Sequence, residues 1–430
     1  MENTHERRDA QGGSQPSSDE RSPRQDGIRS GVNRRAFLTG TAALLGVTAT
    51  QALLPKLHAE SPSVPEDPTK VPGAPPSFYG QRSAFEQAQR LAGSSSSFTP
   101  LQDLHGIVTP ASLHFERHHN GVPLIDPARH RLLIHGLVER PMFFTMDELK
   151  RFPAVSRVAF IECSGNSAGE WQEPRGQTAQ ETHGLISTSE WTGVLLAIVL
   201  RELGMKPDAT WMLAEGADAA AMTRSIPLAP ALEEALLCYA QNGEALRPEQ
   251  GYPLRLLIPG WEGNVCIKWL RRLKLGKAPF MSREETSHYT DLMPNGTARQ
   301  FTFAMEAKSV ITSPSGGQQI RPGFVEIRGL AWSGQGRVTQ VEVSTDGGKT
   351  WQKAQLQKPV LSKCHTRFRF PWRWDGRETI LQSRCADETG YVQPSRQALV
   401  EVRGMNSIYH YNAIQSWKIS RDGAVHNVHV

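Results

Sequence analysis

One cysteine stands in a sequence context that suits chemistry. Cys163 follows the strand-like run 160–162 (Phe-Ile-Glu) and precedes the small and turn-forming residues 164–166 (Ser-Gly-Asn). This order predicts a thiol exposed at the end of a strand, where glycine allows a ligand to approach the backbone closely. Three uses of such a thiol stay open: a buried core residue, a catalytic nucleophile or a soft metal ligand. The motif alone does not separate them.

The cysteines as a set exclude several kinds of metal and haem site. All five lie far apart, with no CxxC pair: Cys163, Cys238, Cys266, Cys364 and Cys385. A cysteine zinc knuckle, an iron–sulfur run and a CxxCH haem attachment are therefore excluded. Whether Cys364 and Cys385 form a disulfide is left open, because sequence spacing does not fix their distance.

Length and charge limit the number of domains and the kinds of ligand that the chain can have. A chain of 430 residues is too long for one ordinary core, so two folded domains plus a tail are predicted. The net charge of +5 permits an anionic ligand. The basic residues are spread along the chain rather than massed in one stripe, so no nucleic-acid binding is predicted.

The N-terminal segment predicts export. Residues 1–59 are interpreted as a polar leader and a signal peptide, in which Arg34 and Arg35 precede a mildly apolar run, 36–54. Paired arginines before such a run are typical of a twin-arginine signal, which carries folded proteins to the periplasm. Threonine and glycine dilute the run too much for a transmembrane helix, so no membrane anchor is expected. The cleavage site is expected between Ala49 and Ala59.

The next two segments differ in composition and in hydrophobic pattern. Residues 60–100 are rich in proline and serine and predict an extended linker. Residues 101–305 mix helical and strand patterns, which indicates an α+β domain. The apolar spacing within 192–203 predicts a helix, and three short runs predict strands: Leu132–Ile134, Val158–Ile161 and Leu254–Ile258.

The remaining chain has an all-β pattern. Within 306–405, residues 346–349 (Asp-Gly-Gly-Lys) predict a hairpin turn, and aromatic and arginine residues alternate over 367–374. Several short strands in about a hundred residues indicate an immunoglobulin-like sandwich. Residues 406–430 are set apart as a C-terminal tail with many aromatic residues. They are interpreted either as a partner-docking segment or as a strand or surface wrap.

A series of short motifs accompanies Cys163 in a fixed order. They are Phe115 to His119, Arg131 to Val138, Glu215 to Asp218, Ser225 to Pro227, Asn242 to Leu246, Gly251 to Leu256, Pro259 to Gly263 and Lys268 to Leu270. Together they resemble the molybdenum domain of the sulfite oxidase family. Residues 329–334 and 341–351 resemble that family's C-terminal dimerisation domain. The resemblance implies an α+β molybdopterin-binding domain followed by an all-β immunoglobulin-like sandwich.

The resemblance also implies a cofactor and its site. Molybdenum–molybdopterin would be held through its dithiolene and through the thiolate of Cys163, a soft electron-donating ligand. Arg255 and Lys268 would neutralise the cofactor phosphate, Asp218 would accept hydrogen bonds from the pterin, and Arg117 would attract an oxyanion substrate. By motif position the predicted cofactor-binding residues are Phe115, Glu116, Arg117, His118, His119, Cys163, Asp218, Gln250, Arg255, Cys266, Ile267 and Lys268.

Several positions depart from the family pattern. Gln250 and Cys266 replace histidines, Ala168 replaces an arginine of the sulfite pocket, and Glu181 falls near the position of the pocket tryptophan. Tyr289 is a loose candidate for the family's active-site tyrosine. The reduced positive charge favours a larger sulfur substrate that is presented on another protein. The resemblance then implies a sulfane sulfur on a cysteine of a carrier protein in thiosulfate oxidation. The alternatives are a periplasmic sulfite dehydrogenase, a reductase for methionine sulfoxide, and an assembly protein without metal.

The predicted electron acceptor follows from the cofactor motifs that the sequence lacks. It contains no haem motif and no flavin fingerprint, so the electrons must pass to another protein, and a c-type cytochrome subunit is predicted. A sulfur-carrier protein is predicted as the substrate. The β domain suggests, by resemblance, a homodimer, and a cytochrome partner would make a heterotetramer.

Overall fold

The protein is described by a computed structural model that covers residues 67–174 and 176–430. The predicted leader and twin-arginine signal lie outside the described residues. Residues 81–430 form one compact unit. Within the described part of the chain, no helix is both long and apolar enough to cross a membrane.

The first half of the compact unit consists of short strands and short helices. Its strands are β1 (Leu91–Ala92), β2 (Ser96–Phe98), β3 (Glu116–Arg117), β4 (Leu132–Gly136), β5 (Met142–Phe144), β6 (Ala154–Glu162), β7 (Ile186–Leu195), β8 (Trp211–Gly216), β9 (Thr223–Pro227), β10 (Leu236–Gln241), β11 (Glu244–Ala245), β12 (Arg255–Leu257), β13 (Leu270–Gly276), β14 (Asp291–Leu292) and β15 (Ala298–Arg299). Its helices are α1 (Met146–Leu149), α2 (Ala179–His183), α3 (Leu196–Glu202), α4 (Leu228–Leu232) and α5 (Arg283–Thr286).

Two five-stranded sheets organise this half. One has the order β11-β10-β7-β6, with β12 also paired to β10, and the other has the order β5-β4-β13-β8-β9. Two predicted strands are confirmed as parts of β4 and β6, and the third, Leu254–Ile258, contains the shorter strand β12. The predicted helix over 192–203 is wrong in its first part. Residues 192–195 continue β7, which is hydrogen-bonded on both sides to β6 and β10, and α3 begins only at Leu196.

The second half is the predicted sandwich of two antiparallel sheets. Its elements are β16 (Lys308–Ser313), β17 (Gly323–Trp332), β18 (Val338–Ser344), β19 (Gln352–Lys353), β20 (Gln355–Leu356), β21 (Thr366–Trp374), β22 (Thr379–Asp387), α6 (Arg396–Arg403), β23 (Ser416–Ile419) and β24 (Val425–Val428). One sheet has the order β16-β17-β21-β20 and the other β19-β18-β22-β23-β24. The predicted hairpin joins β18 and β19, and Phe368, Phe370 and Trp374 on β21 are buried as the alternation indicated.

The segment set apart as a C-terminal tail is part of this sandwich. Strand β23 pairs with β22, β24 pairs with β23, and the Trp417 side chain is fully buried. Of the two interpretations of the tail, the structure therefore shows the strand. The disulfide left open between Cys364 and Cys385 is absent, because both cysteines are free and buried.

Strand β6 lies between the two hydrophobic cores. Ile161 packs in the core of the first half, whereas Phe160 packs in the core of the sandwich. Successive side chains of a strand point to opposite faces, so one strand can serve two cores. This strand ends at the residue before Cys163.

Candidate active site

Cys163 lies where β6 ends and the chain turns. Its N–H donates to the Leu185 carbonyl at 2.9 Å, and its own carbonyl accepts the N–H of Asn166 at 2.9 Å. These bonds fix the backbone around a thiol that faces a cleft. Burial raises the pKa of the Cys163 thiol, although the Gly165 N–H and the charge of Arg117 oppose this rise. A metal ion bound to the sulfur would take the place of the proton.

The cleft in front of Cys163 has room for a cofactor. The space in front of the thiol, including the part that is open to solvent, is about 700 Å³. The predicted site residues that line it are Phe115, Arg117, His118, His119, Cys163, Asp218, Gln250, Arg255, Cys266, Ile267 and Lys268. Residues from distant parts of the sequence are thus brought together around one thiol.

Glu116 is the predicted site residue that does not line the cleft. Its carboxylate accepts a hydrogen bond from Nε2 of His118 at 2.8 Å, and Nδ1 of His118 accepts one from Nζ of Lys268 at 2.7 Å. Lys268 also donates to the carbonyls of Arg117 and Glu249, each at 3.1 Å. Glu116 therefore fixes the orientation of the His118 ring, and His118 in turn orients Lys268. Burial, together with the charge of Arg255, lowers the pKa of Lys268.

Arg255 is the most deeply buried cation of the cleft. Its guanidinium donates to the carbonyls of Gln250 (3.0 Å) and Cys266 (3.1 Å) and lies over the Trp191 ring, 4.8 Å from its centre. Gln250 uses its side-chain amide to donate to the Phe115 carbonyl at 2.9 Å. Gln250 thus connects the turn before β12 to the predicted cofactor-binding segment 115–119.

Three buried polar atoms at the cleft have no hydrogen-bond partner among the described residues. They are Nε of Arg255, Nε2 of His114 and Oδ1 of Asn264. A buried polar atom left unpaired costs roughly 1–3 kcal/mol. Such atoms on the wall of a cleft indicate a polar ligand that completes their hydrogen bonds. The sequence motifs do not point to His114, and only its place beside Phe115 could have drawn attention to it.

Tyr289 also lines the cleft. Its hydroxyl lies 3.2 Å from Nε2 of His119, and its ring lies under the guanidinium of Arg224 at 4.8 Å. The ring of Tyr409, from the segment before β23, packs against it at 5.2 Å. Burial raises the pKa of Tyr289, so its hydroxyl keeps its proton at neutral pH. The loose sequence candidate therefore does lie at the cleft.

Two of the departures from the family pattern lie away from the cleft wall. Ala168 begins a short 3-10 helix, Ala168–Trp171, and offers no charge. Glu181 is exposed and caps α2, where its carboxylate accepts the N–H of Thr178 at 2.9 Å. Neither residue lines the cleft. Ile161, Gly263 and Trp269 stand in the sequence motifs without being predicted as site residues, and they do line it. The cleft is also lined by residues outside the motifs: His114, Met222 and Asn264.

The chain matches two domain families. Residues 119–284 match the oxidoreductase molybdopterin binding domain, and residues 299–417 match the Mo-co oxidoreductase dimerisation domain. The class defined by this pair and by the cleft is a molybdopterin oxidoreductase.

Similar proteins of known identity and a similar solved structure show which family within this class the chain belongs to. Sulfite oxidase of Gallus gallus is 30% identical over 377 residues, which are 81% of this chain and 80% of that protein. Mitochondrial sulfite oxidase of Rattus norvegicus is 31% identical over 329 residues, and the match spans only 60% of its length. The crystal structure of the sulfane dehydrogenase SoxCD from Paracoccus pantotrophus is similar with a TM-score of 0.79 and 45% identity, covering 85% of this chain and 99% of that one. The chain belongs to the sulfite oxidase family.

The residues of the cleft fit the cofactor of this family, Mo-molybdopterin. Cys163 offers a soft thiolate ligand. For a phosphate, Arg255 offers an Nε–H that has no partner among the described residues, and Lys268 offers its Nζ donors. Asp218 presents a carboxylate that can accept hydrogen bonds from ring nitrogens. The contact made by each single residue stays a prediction.

Proposed function

We propose that the chain oxidises sulfane sulfur bound to a cysteine of a carrier protein, as the molybdenum subunit of a sulfane dehydrogenase. One observation supports this choice over free sulfite. The three cations among the described lining residues, Arg117, Arg255 and Lys268, each donate to backbone carbonyls. None of them is left unengaged for a free dianion. A small dianion needs several convergent cations, whereas a sulfur atom attached to a protein needs mainly room.

The residues of the cleft would have separate roles in binding the cofactor and the substrate. Bound Mo-molybdopterin would supply oxygen transfer to sulfur and would take up two electrons. Cys163 would hold the metal through its sulfur, and Arg255 and Lys268 would bind the phosphate end. Arg117 would attract the oxidised, negatively charged sulfur group, and the protonated hydroxyl of Tyr289 would offer it a hydrogen bond.

The electrons would leave to a c-type cytochrome subunit. The chain has no CxxC pair for a haem of its own, so a separate acceptor is required. The similar structure is that of a SoxCD complex, which supports a partner subunit. The dimerisation domain supports a homodimer of this chain, and with two cytochrome subunits a heterotetramer.

A direct comparison of substrates tests the proposal. The purified protein with its cytochrome is supplied with free sulfite or with a carrier protein loaded with sulfane sulfur, and cytochrome reduction is followed. We expect turnover of the loaded carrier to exceed that of sulfite at equal concentration. Brisk turnover of sulfite without turnover of the carrier would instead establish the second candidate, a sulfite dehydrogenase, which the sulfite oxidase relatives favour.

Export to the periplasm by the twin-arginine route is also proposed, since Arg34 and Arg35 precede a mildly apolar run. Replacing both arginines by lysine should retain the protein in the cytoplasm, as cell fractionation would show. Export of that variant at the normal level would contradict the proposal.

A further inference from the structure

The strand that ends at Cys163 has two faces with different neighbours. Side chains alternate along β6, so Phe160 and Glu162 point one way, and Ile161 and Cys163 point the other. Ile161 and Cys163 line the cleft, whereas Phe160 is buried in the core of the sandwich. Glu162, the residue directly before the predicted metal ligand, therefore faces the sandwich.

The carboxylate of Glu162 is fully buried and accepts three hydrogen bonds. Its Oε1 accepts from Nδ2 of Asn166 at 2.9 Å and from Nζ of Lys308 at 3.2 Å, and its Oε2 accepts from Nε1 of Trp332 at 2.7 Å. Lys308 on β16 and Trp332 on β17 are directly paired in the sheet register. Two neighbouring strands of the sandwich thus present one cation and one indole N–H to a single carboxylate.

The same contacts close the turn that contains Cys163. Lys308 also donates to the Asn166 carbonyl at 3.4 Å, and Oδ1 of Asn166 accepts the N–H of Leu185 at 3.1 Å. The Cys163 N–H donates to the Leu185 carbonyl. A buried charge is costly unless it is paired, so the Glu162 carboxylate cannot shift without losing these partners. The turn is held from the side opposite to the cleft.

We propose that the sandwich positions the metal ligand: Lys308 and Trp332, acting through Glu162, fix the place of the Cys163 sulfur. The domain family matched by the sandwich is named for dimerisation, and this role is additional to it. Lys308 and Trp332 are positioning residues, since neither lines the cleft. The inference rests on the proposed role of Cys163 as the metal ligand.

The test uses the intact holoenzyme and a matched pair of tryptophan variants. Trp332→Phe removes the indole bond to Glu162. Trp417→Phe removes an indole bond of the same kind, at 2.9 Å to the Ile311 carbonyl, from an equally buried tryptophan of the same core. Lys308→Met removes the cation, and Lys308→Gln keeps a donor for Glu162. Each variant is measured for melting temperature, molybdenum content, Mo(V) electron paramagnetic resonance and the molybdenum–sulfur distances by X-ray absorption.

A positioning role and a merely structural one give different results. We expect Lys308→Met and Trp332→Phe to change the resonance parameters, or to lower molybdenum content by about 10-fold or more, the loss typical of a missing outer partner of a metal ligand. Trp417→Phe should also lower the melting temperature but keep the wild-type spectrum and metal content. Lys308→Gln should restore the wild-type signature at least in part.

Two results would overturn the inference. One is a wild-type spectrum and metal content in both Lys308→Met and Trp332→Phe. The other is an equal change in Trp417→Phe, which would mean that any loss of stability disturbs the site. Cys163→Ser in the same series separates the two proposals. An unaltered signature in Cys163→Ser contradicts the ligand role itself, whereas an altered one supports that role, and the variants of Lys308 and Trp332 then decide the positioning role.

Discussion

Cys163 differs from the other cysteines in what its sulfur faces. Cys163 and Cys266 both line the cleft, but the sulfur of Cys266 is bonded to the backbone of Ile258. Cys385 is fully buried in the sandwich. Cys163→Ser replaces a soft ligand by a hard hydroxyl, so we expect turnover to fall more than about 100-fold, beyond the range for the loss of an outer partner. Turnover and molybdenum content check this, with Cys385→Ala as the control. Near-normal turnover of Cys163→Ser would show that another residue binds the metal.

Arg255 should decide how firmly the cofactor is held. Arg255→Met removes the free Nε–H and leaves the carbonyls of Gln250 and Cys266 without a donor, at roughly 1–3 kcal/mol for each. We expect cofactor content to fall about 10-fold or more, as happens when an outer hydrogen-bond partner of a metal ligand is removed. The control is Arg384→Met. It removes a guanidinium that lies over the Trp351 ring in the sandwich, and neither residue lines the cleft. Pterin fluorescence after extraction measures the content, and wild-type content in Arg255→Met would refute the role.

Which site residues could be predicted depended on their chemistry. Cys163, Arg255 and Lys268 stand in motifs whose residue types suit a metal or a phosphate, and the structure brings them to one cleft. His114 could not be predicted, because only the fold reveals that its Nε2 is buried and unpaired among the described residues. Glu116 was also predicted as a cofactor contact, but it does not line the cleft, and its carboxylate accepts a hydrogen bond from His118.

At the scale of elements, the segment before β23 is attached to the active-site turn. The His410 N–H donates to the Ser164 carbonyl at 2.8 Å. Its imidazole lies between two carboxylates, with Nε2 3.2 Å from Glu262 and Nδ1 3.6 Å from Glu306. Burial alone would lower the pKa of His410, but these carboxylates raise it to about 9.

This arrangement predicts a pH dependence of stability. The folded pKa of His410 lies above the usual value of 6.5, so its stabilisation is complete below pH 6.5 and is lost as the pH rises through about 9. Glu306, with a pKa lowered to about 2, stays ionised throughout this range. The free energy of unfolding should therefore fall by about 3 kcal/mol between these limits, at 1.36 kcal/mol per pKa unit.

The measurement compares melting temperatures from pH 6.5 to 9.5 in three proteins. His410→Gln should be less stable at low pH and should lose the slope that His410 contributes. His365→Gln is the matched control, because burial lowers the pKa of His365 to about 3 and it stays neutral in this range. Parallel curves for wild type and His410→Gln would contradict the prediction.

The boundary between β7 and α3 shows where element prediction failed. Val194 and Leu195 fit a helical stripe together with residues 198 and 199. In the structure, Val194 pairs with Ala154 on one side and Leu237 on the other. The last two residues of β7 are both apolar and lie four positions before Ile198 and Val199, so the end of the strand continues the apolar spacing of the helix that follows.

At the scale of the whole molecule, the two halves share one strand. The domain order and the sandwich could be predicted, because turns and alternating residues are local signals. That Phe160 belongs to the sandwich core and Ile161 to the other core could not, because this depends on contacts between residues far apart in sequence. The motifs predicted most of the residues that line the cleft, whereas the contacts of the sandwich with β6 became visible only in the fold.

The cofactor should act as a stabiliser of the whole compact unit. Its binding would give partners to Arg255 Nε, His114 Nε2 and Asn264 Oδ1, which are buried and unpaired among the described residues. A ligand at 100 times its dissociation constant adds about 2.7 kcal/mol, which raises the melting temperature by about 4 °C in a protein of this size. Protein from a strain unable to make molybdopterin should therefore melt lower than the holoenzyme. Arg255→Met should narrow that difference, and equal melting temperatures for fully loaded and cofactor-free wild type would show that the cofactor does not complete these bonds.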